Sequence, residues 1–270
     1  MSKWSATAII FKSFAAVLAL VGAIFAFIVF GHAAIGAPWS FNPGEFSHNA
    51  AAQYKSAIGA GGDKPSSGAS TPKSANLPTS VRIKVPFSPQ APFFDWSDPY
   101  AEACEEASVA MAMAWVRGRN LTPETANAEI LNMVAYENFY FGYNADTALR
   151  ETAKIFTRYY GYKKIREVYD INPGDIKLEL ASGNIVIVSA AGALLANPYY
   201  ASPPPYHMLV IKGYDDISKE FITNDPGTRR GEGYRYAYDI LWNAIHDWTG
   251  DEDTLPEGRK GMIVVKPSED

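Results

Sequence analysis

The chain has 270 residues, 47% of them hydrophobic and 13% aromatic, and a formal net charge of −5. That is enough apolar material for a sizeable core in one or two domains, and the acidic balance supplies no basic patch of the kind that nucleic-acid binding needs. A single cysteine, Cys104, excludes an internal disulfide and a thiolate zinc site, and four histidines in all are too few for a histidine-rich metal centre, so no cofactor and no metal is expected.

In chain order, Lys3 and Lys12 precede a run from Ser13 to Gly31 that carries no charged residue. Its length is close to that of a bilayer span. Positive residues before it, and none soon after, predict a cytoplasmic N-terminus over residues 1–12 and a chain that continues outside. A single-pass membrane anchor is therefore expected over 13–31. Ala34-Ile35-Gly36 offers small residues at the spacing a signal peptidase needs, so cleavage and secretion form the competing expectation. Residues 32–80 read as a juxtamembrane piece and a flexible linker. From Gly59 to Ser80 the chain has almost no apolar side chain whose burial would offset the cost of ordering. The globular domain is expected over 81–270.

That domain opens with Val81-Arg82-Ile83-Lys84-Val85, an alternation that predicts a strand. An aromatic loop through Phe93, Phe94, Trp96 and Tyr100 leads to Cys104, and the Ala- and Met-rich run behind it predicts a helix to Trp115. Thr122-Pro123 is an N-cap followed by proline at the first helical position, opening a helix to about Tyr136. A third helix is expected between Asp146 and Gly161, where glycine supplies the left-handed cap. The pattern then changes to strands over 165–169, 185–188, 207–214, 220–225, 233–237 and 262–266, with helices over 173–181 and 238–248. Helices first and an antiparallel sheet second make an α+β layout. His246, near the end of the last helix, reads as structural, and the aromatic residues from Tyr136 to Tyr143, with Tyr199 and Tyr200, read as core or rim.

Cys104 in the first turn of its helix meets unpaired backbone N–H groups and the positive end of the dipole, which stabilise a thiolate. Glu105 and Glu106 follow it. Their charge complements the same dipole yet opposes thiolate formation if it faces the sulfur, and the sequence leaves open which one does. A lone cysteine before a helix is also compatible with an inert, packed side chain.

Gln90, Ala103-Cys104-Glu105-Glu106-Ala107-Ser108 with Met111, His207-Met208-Leu209-Val210-Ile211-Lys212-Gly213-Tyr214-Asp215-Asp216 and Asn224-Asp225-Pro226-Gly227 together resemble the papain-like cysteine peptidases similar to the bacteriocin-processing, double-glycine-leader peptidases. The resemblance runs from about Val81 to Lys266. It implies a papain-like fold with Cys104 as nucleophile, His207 as its proton partner, Asp225 orienting the imidazole, and the Gln90 amide with the Cys104 N–H as oxyanion donors. Glu105-Glu106 stands where a Gly-Pro pair often follows the cysteine, and no G-x-x-x-x-G-K-[ST] loop accompanies the domain, so an export ATPase is not implied. The expected activity is hydrolysis of a peptide bond in a peptide or protein substrate. A catalytically inactive peptide-binding module of the same fold and a cell-envelope structural protein with an inert cysteine are the alternatives.

Asn224 and Asp225 are adjacent, and both types serve as orienting residues in papain-like sites. If Asp215 to Lys219 form a five-residue loop, Tyr214 pairs with Glu220 and Asp225 falls on the face of His207. A four-residue loop exchanges the two.

Overall fold

The computed structural model describes residues 77–268. The expected cytoplasmic segment, the 13–31 anchor and nearly all of the linker lie outside the described residues, and within them no helix is long and apolar enough to cross a membrane.

The described elements are β1 (Ser80–Arg82), α1 (Cys104–Val116), α2 (Pro123–Tyr140), α3 (Leu149–Lys154), β2 (Ile165–Tyr169), α4 (Pro173–Ala181), β3 (Ile185–Ala191), β4 (Tyr206–Asp215), β5 (Glu220–Asn224), β6 (Glu232–Ala237), α5 (Tyr238–Ala244) and β7 (Gly261–Val265). The strands form one antiparallel sheet in the order β2-β7-β3-β4-β5-β6, with β1 added to β4. Helices come first and strands dominate afterwards, as the α+β reading requires. Both faces of the central strands are covered. Met208 and Val210 of β4 join Met111, Met133 and Leu149 of α1, α2 and α3 in one core. Leu209 and Ile211 join Ile176 and Leu180 of α4 and Leu241 of α5 in the other. A strand buried on two sides needs apolar residues at consecutive positions, which is why β3, β4 and β7 read as hydrophobic runs with little alternation.

The caps follow from local chemistry. The Thr122 hydroxyl accepts from the Thr125 N–H ahead of Pro123, and Asn172 accepts from the Gly174 N–H ahead of α4. Three expected boundaries shift. β1 ends at Arg82 rather than Val85, because its partner strand bulges at the next position. The third helix widens into a π-helical turn over Ile155–Tyr159 before Gly161, whose φ of +66° closes it. The last helix stops at Ala244, and Ile245 turns extended to bridge Ala190. His246 is therefore not on a helix; its N–H donates to the Ser189 carbonyl, and Nδ1 lies 3.0 Å from the Gly258 carbonyl.

Between β4 and β5 two irregularities cancel. The turn is one residue shorter than the five-residue loop expected, so Asp215 pairs with Glu220 and Gly213 with Ile222. A bulge at Lys212 then absorbs one residue of β4, and Ile211 pairs with Thr223 and Val210 with Asn224. That is the register which a five-residue loop alone would have set at this end of the hairpin.

Candidate active site

His207 is the second residue of β4 and is buried. Its Nε2 lies 2.7 Å from Asp225 Oδ1. Asp225 is the first residue after β5 and has no exposed surface, yet its carboxylate is fully provided for. Oδ1 also accepts from the Gly227 N–H at 2.9 Å. Oδ2 accepts from the Tyr236 hydroxyl at 2.5 Å, the Tyr200 hydroxyl at 2.7 Å and the Asn197 amide at 3.0 Å. Burial alone would push this carboxyl up; the His207 ring and the hydrogen bonds from His207, Tyr236 and Tyr200 outweigh it and bring the pKa down to about 2. Burial and the Asp225 charge raise Tyr200 and Tyr236 far beyond their usual range, so both stay protonated donors.

Asn224 takes the other face. Its amide donates to the Val85 and Pro86 carbonyls and its oxygen accepts from the Gly233 N–H. It ties β5 to the segment after β1 and makes no contact with the imidazole among its hydrogen bonds.

Cys104 opens α1, so its N–H has no acceptor within the helix. The helix is buried along almost its whole length and packs on β4, where Ser108 donates to the Met208 carbonyl. The Met208 backbone, one residue beyond His207, favours the ionised form of the sulfur. Opposing this, burial pushes the thiol well above its usual range, and Glu105 and Glu106 add to the push. The thiol donates to Glu105 Oε2 at 2.9 Å. The expectation that the helix start brings Cys104 down toward neutrality is thus corrected: desolvation and a carboxylate in contact outweigh the dipole in the resting state.

The two glutamates of the first turn are withdrawn from water. Both are completely buried. Glu105 is held by its Oε1, which accepts from the Thr147 N–H at 2.8 Å. Glu106 lies against Glu137 of α2, and none of the four carboxyl oxygens has a well-formed hydrogen bond among the described residues. Burial raises all three, Glu137 to about 8. Two facing carboxyls without a cation hold at least one proton between them near neutral pH.

Gln90 is brought beside the site, its N–H donating to the Pro226 carbonyl. Its side chain does something other than expected. Both amide hydrogens go to main-chain carbonyls, Tyr100 at 2.9 Å and Ala101 at 2.8 Å, while the buried Oε1 has no partner. In this state the amide fixes the turn that leads into Cys104, and neither N–H is free for an oxyanion.

The family model described as Peptidase_C39 like family matches residues 82–251. The chain belongs to that family. It is accordingly a cysteine peptidase by family, and the described fold, helices followed by an antiparallel sheet, agrees with membership. Among solved structures it is similar to a protein from Bacillus anthracis named as a C39-like peptidase, at 14% identity and a TM-score of 0.46, over 70% of this chain and 99% of that one. It is also similar to xylellain, a cysteine protease from Xylella fastidiosa, at 14% identity and a TM-score of 0.47, over 74% of this chain and 91% of that one. No curated protein matches.

Within this C39-like peptidase, sequence reasoning missed the three groups that hold the second oxygen of Asp225. In the sequence Tyr200 reads only as core or rim, and Asn197 and Tyr236 carry no signal, because their convergence depends on a loop and a strand folding onto one carboxylate. Glu105 was legible as a neighbour of Cys104, but its burial and its direction were not. Gly227 has a steric reason that the sequence hides: a Cβ there would sit 2.9 Å from His207 Cε1 and 2.9 Å from Tyr200 Cε1.

Proposed function

We propose that this C39-like protein is a membrane-anchored, extracytoplasmic cysteine peptidase that hydrolyses a peptide bond through Cys104, His207 and Asp225. The observation that carries the reading is the buried 2.7 Å contact between His207 Nε2 and Asp225 Oδ1, beside the point where the Cys104 helix is tied to β4 through Ser108 and the Met208 carbonyl. With Nε2 committed to Asp225, Nδ1 is the ring nitrogen left to exchange a proton with the thiol.

In this mechanism the Cys104 proton passes to His207 Nδ1 and the thiolate attacks the scissile carbonyl carbon. The Cys104 N–H stabilises the oxyanion. The tetrahedral species collapses with transfer of the His207 proton to the leaving amine, giving a thioester. Water, deprotonated by His207, then releases the acid and restores the thiol. Asp225, already ionised and held by five hydrogen bonds, stabilises the imidazolium without taking its proton. Gln90 joins the oxyanion site only if substrate binding releases one of its two carbonyl partners. Cys104→Ala in the full chain abolishing all peptide hydrolysis, with an unchanged circular-dichroism spectrum, supports the reading; thiol-independent hydrolysis overturns it.

Anchoring rests on the uncharged run from Ser13 to Gly31 behind Lys3 and Lys12. Protease added to intact spheroplasts is expected to degrade the domain from Val81 onward, and protection until lysis would overturn the topology. The neutral thiol bonded to Glu105 favours a second reading, a peptide-binding module that does not turn over. Turnover separates the two: peptide hydrolysis that is lost in Cys104→Ala supports the enzyme, whereas peptide binding by the wild type with no hydrolysis supports the module.

A further inference from the structure

Resting on the peptidase reading, we propose that Arg229 and Arg230 form the specificity site of this enzyme and select a substrate with an acidic side chain near the scissile bond. Both lie on the loop between Asp225 and β6, two and three residues beyond Gly227, which packs on the His207 ring. The loop is closed on the site. The Asp225 N–H donates to the Gly231 carbonyl, the Gly231 N–H to the Thr228 carbonyl, and the Arg230 N–H to the Thr228 hydroxyl.

Each guanidinium lies on an aromatic ring supplied by a different wall of the site. Arg229 Cζ is 4.5 Å from the ring centre of Phe94, on the loop that carries Gln90. Arg230 Cζ is 4.8 Å from that of Tyr199, whose neighbour Tyr200 bonds Asp225. Both rings are exposed, 53% for Phe94 and 44% for Tyr199. Phe94 is held at a φ of +66°, a conformation uncommon for a bulky residue and found where a side chain must be presented in one direction.

The charge is uncompensated. Arg166, Arg235 and Arg259 each pair with a carboxylate on the surface, whereas neither Arg229 nor Arg230 forms an ion pair among the described residues. Asp95, beside Phe94, is turned to the Ser97 N–H and hydroxyl. In a chain of net charge −5, a general pull on anions is absent, so two adjacent exposed cations on the loop that follows Asp225 act locally. A guanidinium already held over an aromatic ring has lost part of its freedom and keeps N–H groups for a two-point bond with a carboxylate.

The test uses the full-length protein and internally quenched peptide mixtures, each with Glu, Gln or Lys fixed at one position. Glu is expected to raise kcat/KM over Gln by about tenfold at one position, the size of one good charged hydrogen bond. That ratio should fall to about one in the Arg229→Ala/Arg230→Ala double variant, and Arg229→Glu/Arg230→Glu should invert it in favour of Lys over Gln. No position preferring Glu, a preference that survives the double variant, or a preference confined to a free C-terminal carboxylate would overturn the proposal. If no peptide is turned over, the peptidase reading fails by itself. The arginines are then judged by fluorescence-anisotropy binding of the same Glu and Gln peptides to the Cys104→Ala protein, where equal affinities overturn the inference.

Discussion

The thiol of Cys104 donates to the carboxylate of its own chain neighbour Glu105, with Sγ and Oε2 2.9 Å apart and both side chains buried. The thiol proposed as the nucleophile is thereby kept protonated by the group beside it. Glu105→Gln removes the charge but keeps the shape and the acceptor oxygen. Labelling of Cys104 by iodoacetamide should then extend to lower pH than in the wild type. A labelling profile that stays where it was, or moves to higher pH, would show that burial alone sets the thiol.

Asp225 and Asn224 differ in what they hold, and their variants should fail differently. Asp225→Asn is expected to lower kcat by roughly 10⁴-fold, because an amide cannot stabilise the imidazolium as a carboxylate does. Asn224→Ala strands the Val85 and Pro86 carbonyls and should cost about 1–3 kcal/mol of stability. Urea denaturation and steady-state kinetics on both variants would expose an exchange of these roles.

Gln90→Ala removes both donors to Tyr100 and Ala101. Loss of two buried hydrogen bonds predicts a destabilisation of about 2 kcal/mol, visible as a lower urea midpoint. A side chain acting only as an oxyanion donor would leave the midpoint unmoved and lower kcat by about 10²- to 10³-fold. Measuring both quantities assigns the residue.

Gly227→Ala places a methyl group against His207 and Tyr200. Overpacking of this kind costs about 1–3 kcal/mol, and the ring most easily displaced is the imidazole. Turnover should fall by at least roughly 10²-fold, since a misplacement of about 1 Å suffices for that. Wild-type activity in this variant would mean that the loop relaxes away from His207.

Glu137 gives the domain a pH dependence of known sign. Burial first, with Glu105 and Glu151 adding charge and Glu106 opposing, raises its pKa from 4.5 to about 8. The folded protein holds this proton more tightly than the unfolded chain, so its stability is full below about 4.5 and is lost as pH rises through about 8. Glu137→Gln should raise Tm at pH 8.5 more than at pH 5. Equal shifts at both values would show that this carboxyl is not the source.

Much of this architecture was legible in local chemistry. β2 ends and α4 begins where turn residues and Pro173 place their boundaries, and Cys104 begins a helix because Ala and Met follow it. Cys104, His207 and Asp225 stand out in the sequence by type, order and resemblance, and the structure puts His207 against Asp225. Asp225 over Asn224 followed from a period-two register, although a four-residue turn and the Lys212 bulge each broke that register and only their sum restored it. What a linear pattern does not contain is the state of charge at the site. Whether Glu105 faces water or sulfur, whether Glu106 meets Glu137, and which hydroxyls converge on Asp225 depend on residues 31 to 42 positions apart or brought in from separate loops and strands. Desolvation and the Coulomb interactions it magnifies act through space, so the tertiary structure alone decided that the thiol rests neutral, that Asp225 rests ionised, and that Gln90 spends its amide on the backbone.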